Sequence, residues 1–168
     1  LVDKEKFGGK GDYEDIVYTD SAVYMLVSSG KIVKVLVKDS SFAITEFDME
    51  LGGKNEFEAM YMNDDVKSLI LLCKDCSKDK DEIRKAYRFD LATQKFGAEP
   101  VYTIDVSSIQ KILEDDKAEF KPSAAGINPL NGKLYIVASV GKVLVIASTD
   151  GIVEQVIPLE PGLFNQPE

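Results

Sequence analysis

Apolar residues along this chain come in short runs separated by polar, glycine-bearing breaks, and the clearest series fills residues 120–159. Asn131-Gly132 and Asp150-Gly151 each stand between two such runs, and both pairs tolerate positive φ, which makes them strong hairpin signals. The two middle runs are apolar at almost every position: Leu134, Tyr135, Ile136 and Val137, then Val143, Leu144, Val145 and Ile146. A strand exposed on one face would alternate, so these strands are predicted to be covered on both faces. A four-stranded meander buried on both sides needs one sheet stacked above it and another below. That is the situation of a propeller blade.

The same order of runs recurs twice upstream. Strands are predicted at 12–18, 22–28, 31–37 and 42–50, with Phe42, Ile44 and Phe47 on one face of an outer strand. A second set follows at 57–62, 68–74, 86–91 and 101–105, interrupted by a charged loop at 75–82 that is expected to be solvated. One helix is predicted between residues 105 and 119. Ile109, Ile112 and Leu113 share a face there, Asp105 or Ser107 can cap the start, and the apolar face is expected to pack on a blade edge. Aligning the unit starts places Glu14, Glu58, Ser123 and Glu168 at one equivalent position, 44, 65 and 45 residues apart. The long middle interval contains the charged loop and the helix. A period of about 40 to 50 residues with four strands per repeat is the mark of a propeller. An immunoglobulin-like sandwich also has short strands, but it does not explain why an acid returns at the unit starts.

The fold class read from this pattern is all-β, a β-propeller of four-stranded antiparallel blades with one short helix between blades. The blades span about 12–50, 55–105 and 121–159, with strand remnants at 1–7 and 164–168. Three units do not close a ring, so the chain is expected to be part of a longer propeller, for instance one of about six blades. Two copies completing one another is the less favoured alternative. Tyr13, Phe57, Phe120 and Phe164 precede the unit starts and are expected to pack blade against blade.

Composition narrows the chemistry. Acidic residues outnumber basic ones 29 to 20, giving a net charge of −9 that repels phosphate backbones, so nucleic acid is not an expected partner. Histidine is absent, which removes Ser-His-Asp catalysis and His-ligated zinc. No run is apolar for the roughly 18 residues a transmembrane helix needs. The first residue is Leu1 rather than methionine, which leaves a processed leader or anchor open. Cys73 and Cys76 form a lone C-x-x-C without two further ligands for zinc. Structural thiols are the first reading, a local disulfide the second, and redox work the last.

The segments GDYEDI (11–16), FKPSAAGINPLNGKLYIVASVGKVLVI (120–146), DGIVEQVIPL (150–159) and FNQPE (164–168) are similar to those of the SdiA-regulated family of bacterial β-propellers. The resemblance implies a periplasmic or cell-surface protein, in some members lipid-anchored, of a kind found in Bacteroidetes-type bacteria, with no settled biochemical role. It also implies a glycine and an isoleucine-like residue just after Glu168.

In a propeller the first strand of each blade lines the central channel, which would gather Glu14, Glu58 and Glu168 at one mouth, with Ser123 in place of the acid in the third blade. Asp12, Asp15 and Glu56 lie beside them. Clustered carboxylates repel one another unless a cation or a proton relieves them, and hard oxygen ligands suit calcium. Glu14, Glu58 and Glu168 are therefore candidate metal ligands, and Glu14, Asp15, Glu58, Ser123 and Glu168 a candidate ligand site. The structural alternative is that each glutamate accepts hydrogen bonds from a neighbouring blade's backbone and locks the blades together. The run from Lys78 to Glu82 contains D-x-D but lacks the spacing of an EF-hand. Ser123 has no base near it in sequence, so no catalytic residue is assigned. The function expected is non-catalytic binding of a small ligand or an envelope protein at the channel mouth. The alternative is a calcium-dependent, phytase-like phosphoesterase, against which counts the shortage of basic residues near the unit starts, Lys10, Lys54 and Lys121 being the nearby ones.

Overall fold

The structure, a computed structural model, describes residues 9–38, 41–77, 79 and 82–167. Glu168, the strand remnant expected at 1–7, and Lys78, Lys80 and Asp81 of the charged run lie outside the described residues. Three antiparallel sheets follow one another along the chain. The first runs β1 (Tyr13–Tyr18), β2 (Val23–Val27), β3 (Ile32–Lys38) and β4 (Ser41–Phe47), each paired with the next. In the second, β5 (Asn55–Asn63), β6 (Ser68–Cys76) and β7 (Ile83–Asp90) pair in order. Its outer edge is divided: β8 (Lys95–Phe96) and β9 (Tyr102–Asp105) both pair with β7. Pro100 has no N–H to give a ladder, so the chain leaves the edge between them. The third sheet is β10 (Lys121–Ile127), β11 (Leu134–Val140), β12 (Val143–Ala147) and β13 (Val153–Pro158).

The second sheet is held between the other two, and a period of two along its strands explains how. In β6, Leu69, Leu71 and Cys73 enter one buried cluster with Tyr24, Leu26 and Ile32 of the first sheet. The alternate residues Ile70 and Leu72 enter another with Leu134, Ile136 and Val145 of the third sheet. A strand that faces two cores has no polar side, and each buried Leu or Ile contributes about 1.5–3 kcal/mol. The first strands of the sheets lie side by side, with β5 between β1 and β10. This is a partial β-propeller. The third sheet is covered more fully on one face: Leu134, Ile136 and Ala138 are buried, while Tyr135 and Val137 are half-buried.

The helix α1 (Val106–Leu113) starts where Asp105 Oδ1 accepts from Ser107 N, at 2.9 Å, so Asp105 rather than Ser107 is the cap. Val106 and Ile109 are buried between the second and third sheets. Ile112, expected on the same apolar face, is instead exposed. In β4, Phe47 does not share a face with Phe42 and Ile44, because an odd and an even residue point to opposite sides of a strand; it packs toward the second sheet. Gly151 turns with φ of 84°, and a Cβ there would stand 2.6 Å from Thr103 O of the second sheet. The Asp-Gly turn thus serves the seam between sheets as well as the hairpin.

Candidate functional site

The equivalent positions read from the repeat share one backbone feature. Register breaks between Tyr13 and Asp15 in β1, between Phe57 and Ala59 in β5, and between Pro122 and Ala124 in β10. Glu14, Glu58 and Ser123 are the residues inserted at these three bulges. A bulge leaves its extra residue out of the ladder and re-aims its side chain. Three sheets therefore turn their inner strands at the same point.

Glu14 and Glu58 are brought together. The Glu14 carboxyl is held above its usual value, first by burial and then by the negative charges of Asp12, with which it also hydrogen-bonds, and of Glu58; the Lys74 ammonium opposes them. Lys74 Nζ lies 2.9 Å from Glu56 Oε1 and closer still to Glu58 Oε1. Burial works against the charge on Lys74, but the two glutamates hold its ammonium above the ordinary lysine value. Four carboxylates and one ammonium thus form one cluster, with Lys74 satisfying Glu56 and Glu58 and leaving Asp12 and Glu14 to each other.

Lys74 is the residue that reading the unit starts missed. It lies sixteen residues after Glu58 and enters the site through the antiparallel register, in which Phe57 pairs with Cys73. Counting back from the turn between Asn63 and Ser68 is the one signal that could have found it. Of the lysines expected nearby, Lys121 is committed to Asp75 at 2.9 Å, which lowers the Asp75 carboxyl, with Lys54 a weaker influence on the same group.

The blade-locking role expected of the glutamates falls to other side chains. Asp15 Oδ2 accepts from Met60 N at 2.8 Å, joining β1 to β5, and its Oδ1 accepts from Ile16 N at 2.7 Å. Burial raises the Asp15 carboxyl, and these two backbone donors pull it only part of the way back. Ser123 Oγ donates to Pro167 O at 2.6 Å, tying the third sheet to the segment that leads to Glu168. Arg84 Nε donates to Phe120 O at 2.9 Å across the second seam. Asp15 and Ser123 therefore each make a hydrogen bond across a seam. Glu168 lies outside the described residues. Among the aromatics preceding the unit starts, Phe57 and Phe120 are buried between sheets, whereas Tyr13 and Phe164 are largely exposed.

Cys73 and Cys76 are joined as a disulfide, so the reading as free structural thiols gives way to the second alternative. Cys76 ends the buried strand β6, and its sulfur meets that of Cys73 three residues earlier. Asp79 stands beside them, its carboxylate 2% exposed and 2.6 Å from Lys85 Nζ. Within the run expected to be a solvated loop, Asp79 is instead packed against the second sheet. Sulfurs bonded to each other are not thiolate ligands, so Cys73, Cys76 and Asp79 do not make a metal site in this state.

No family model matches the chain, and no curated protein matches it. Solved structures do. A periplasmic gluconolactonase of Pseudomonas aeruginosa, PpgL, aligns with 88% of this chain at a TM-score of 0.52 and 12% identity. This chain spans 39% of that protein's length. A seed protein of Dolichos described as a 2S albumin aligns with 83% of this chain, and with 64% of its own, at a TM-score of 0.46 and 11% identity. At 12% identity the first likeness concerns fold alone, and it agrees with consecutive blades of a β-propeller.

Proposed function

We propose that this chain belongs to an extracytoplasmic propeller, of the kind the SdiA-regulated resemblance implies, that binds a partner at its channel mouth without transforming it. The observation that carries the reading is the grouping of the Glu14 carboxyl with Asp12 and Glu58 beside the Lys74 ion pairs, a crowding that raises the Glu14 carboxyl. An ionised carboxylate held at that cost is relieved by a cation or a strong hydrogen-bond donor. The partner is accordingly a small ligand, or a segment of an envelope protein, that presents positive charge or donors. Calcium is the inorganic candidate, held by Glu14 and Asp12 and joined by Glu58 if Lys74 moves aside. The periplasmic setting of PpgL supports the location, as does the disulfide, since disulfides persist in oxidising compartments. Among the described residues no helix is long and apolar enough to cross a membrane.

Calcium titration followed by thermal melting tests this reading. Saturation at 100 times Kd stabilises by about 2.7 kcal/mol. The expected result is a calcium-dependent rise in Tm that disappears in Glu14→Gln, and no shift with any divalent ion withdraws calcium from the proposal. A hydrolase resembling propeller phytases is the second reading; Lys74 favours it only if a phosphate group displaces Glu56 and Glu58 from its ammonium. Turnover of p-nitrophenyl phosphate or inositol hexakisphosphate with calcium would establish that reading, and a flat assay removes it.

A further inference from the structure

At the end of β5 away from Glu58, a cavity of about 230 Å³ opens in the seam between the second and third sheets. Tyr61 and Tyr102, the first from an inner strand and the second from an outer one, both border it, with hydroxyl oxygens 2.9 Å apart. Both residues are more than nine-tenths buried, at 6% and 7% exposure. Two facing hydroxyls carry two hydrogens, and only one can lie between the oxygens. Neither hydroxyl bonds to any other described residue, so the second hydrogen has no acceptor among the described residues. The space available to it is the cavity. A buried donor without a partner is destabilising, and an occupant bearing an acceptor relieves it.

We propose that this cavity binds a small neutral polyhydroxylated compound, a monosaccharide or cyclic polyol, through the tyrosine pair and the polar groups around it. The lining supplies donors and acceptors together. Asn63 Oδ1 is occupied by Asp65 N and Val66 N at 3.1 and 3.4 Å, which leaves its amide hydrogens to donate. Arg88 lines the cavity and forms no ion pair among the described residues. Asp65 and Asp150 present acceptors only. A carboxylate ligand would meet these two acids, and an ammonium would meet Arg88. A hydroxyl both donates and accepts, so a ring bearing several of them satisfies both sets with no charge to neutralise. Burial raises the Tyr61 hydroxyl to about 12 and holds the Tyr102 hydroxyl well above its ordinary value, which keeps both as donors through the neutral range. At about 30 Å³ per water, the volume equals roughly eight waters, which is room for one sugar ring and not two.

The test is isothermal titration of the full chain with glucose, galactose and myo-inositol, with sodium acetate and glycine as charged comparators. Saturable binding of at least one polyol is expected, without binding of acetate or glycine. Tyr61→Phe or Tyr102→Phe alone frees the surviving hydroxyl for the cavity and should change affinity less than threefold, whereas the double variant should lose at least tenfold. Arg88 is exposed, so Arg88→Ala should fold normally and also lose about tenfold. Flat titrations with all three polyols, a folded double variant or Arg88→Ala variant that binds as well as the original, or preference for acetate or glycine would each overturn the assignment. The site and its test are independent of the acidic mouth.

Discussion

Asp15 offers the sharpest test of how the sheets are joined. Its carboxylate accepts two backbone hydrogens, and the two are not equivalent. Met60, the donor across the seam, is 2% exposed, whereas Ile16 N lies at the surface where water can replace the bond. In Asp15→Ala the Met60 N–H is left buried without an acceptor, which costs about 1–3 kcal/mol, while the Ile16 bond costs close to nothing. A loss of about 2 kcal/mol corresponds to a fall in Tm of about 4–8 °C for a chain of this size. Asp15→Asn should behave differently. The side-chain oxygen still reaches Met60 N, and the charge it gives up was a net burden, since burial holds the carboxyl above its usual value despite both donors. Asparagine should therefore fall within about 0.5 kcal/mol of the native protein at neutral pH. The sign can be checked with pH. A carboxyl whose pKa is raised in the fold is fully accommodated below its unfolded value and destabilises as pH rises through the folded value. The native protein should thus gain on Asp15→Asn as pH falls from neutrality toward 3.8. Urea unfolding followed by tyrosine fluorescence, with m unchanged, supplies the measurement. If Asp15→Ala is as stable as the native chain, or Asp15→Asn is as unstable as Asp15→Ala, the seam bond is not what joins β1 to β5.

Three further outcomes are expected. Glu14→Gln should flatten the pH profile: ionised Glu14 is disfavoured by burial and by Asp12 and Glu58, so the native protein loses stability as pH rises above 4.5 through the raised value, and the glutamine variant does not. Urea midpoints at pH 4 and pH 7 decide it, and parallel profiles refute it. Replacing both Cys73 and Cys76 by alanine should cost roughly 2 kcal/mol from the closure entropy of a four-residue loop, with reductant lowering the native Tm and leaving the variant's unchanged. Gly141→Ala should lose at least about 1–2 kcal/mol by thermal melting, because φ is 99° and a Cβ would stand 2.0 Å from Glu119 O.

The repeat was legible because it is written in local chemistry. Turn pairs such as Asp150-Gly151 and runs apolar at every position, as in β6, declare their conformation and their burial without reference to distant residues. The positions aligned by spacing, Glu14, Glu58 and Ser123, coincide with the three bulges that the structure reveals, since an extra residue at the same point in each inner strand is repeated with the unit. Lys74 was not legible beside the acids, because its place next to Glu58 comes from strand register across a hairpin. The exchange of roles between Glu14 and Asp15 was also hidden: adjacent residues at a bulge point in different directions, and only the re-aimed backbone tells which meets the neighbouring sheet.

What the sequence alone determined is a succession of four-stranded sheets, each too apolar to be exposed, with an acidic residue or a serine at the head of its inner strand. Hydrophobic period and turn residues act within a few positions of themselves, so they can be read in order along the chain. What the tertiary structure decided is which polar groups meet: Lys74 between Glu56 and Glu58, Asp15 on the backbone of the next sheet, Tyr61 against Tyr102. Hydrogen bonds and ion pairs act over about 3 Å, and only packing one sheet on the next brings residues dozens of positions apart within that reach.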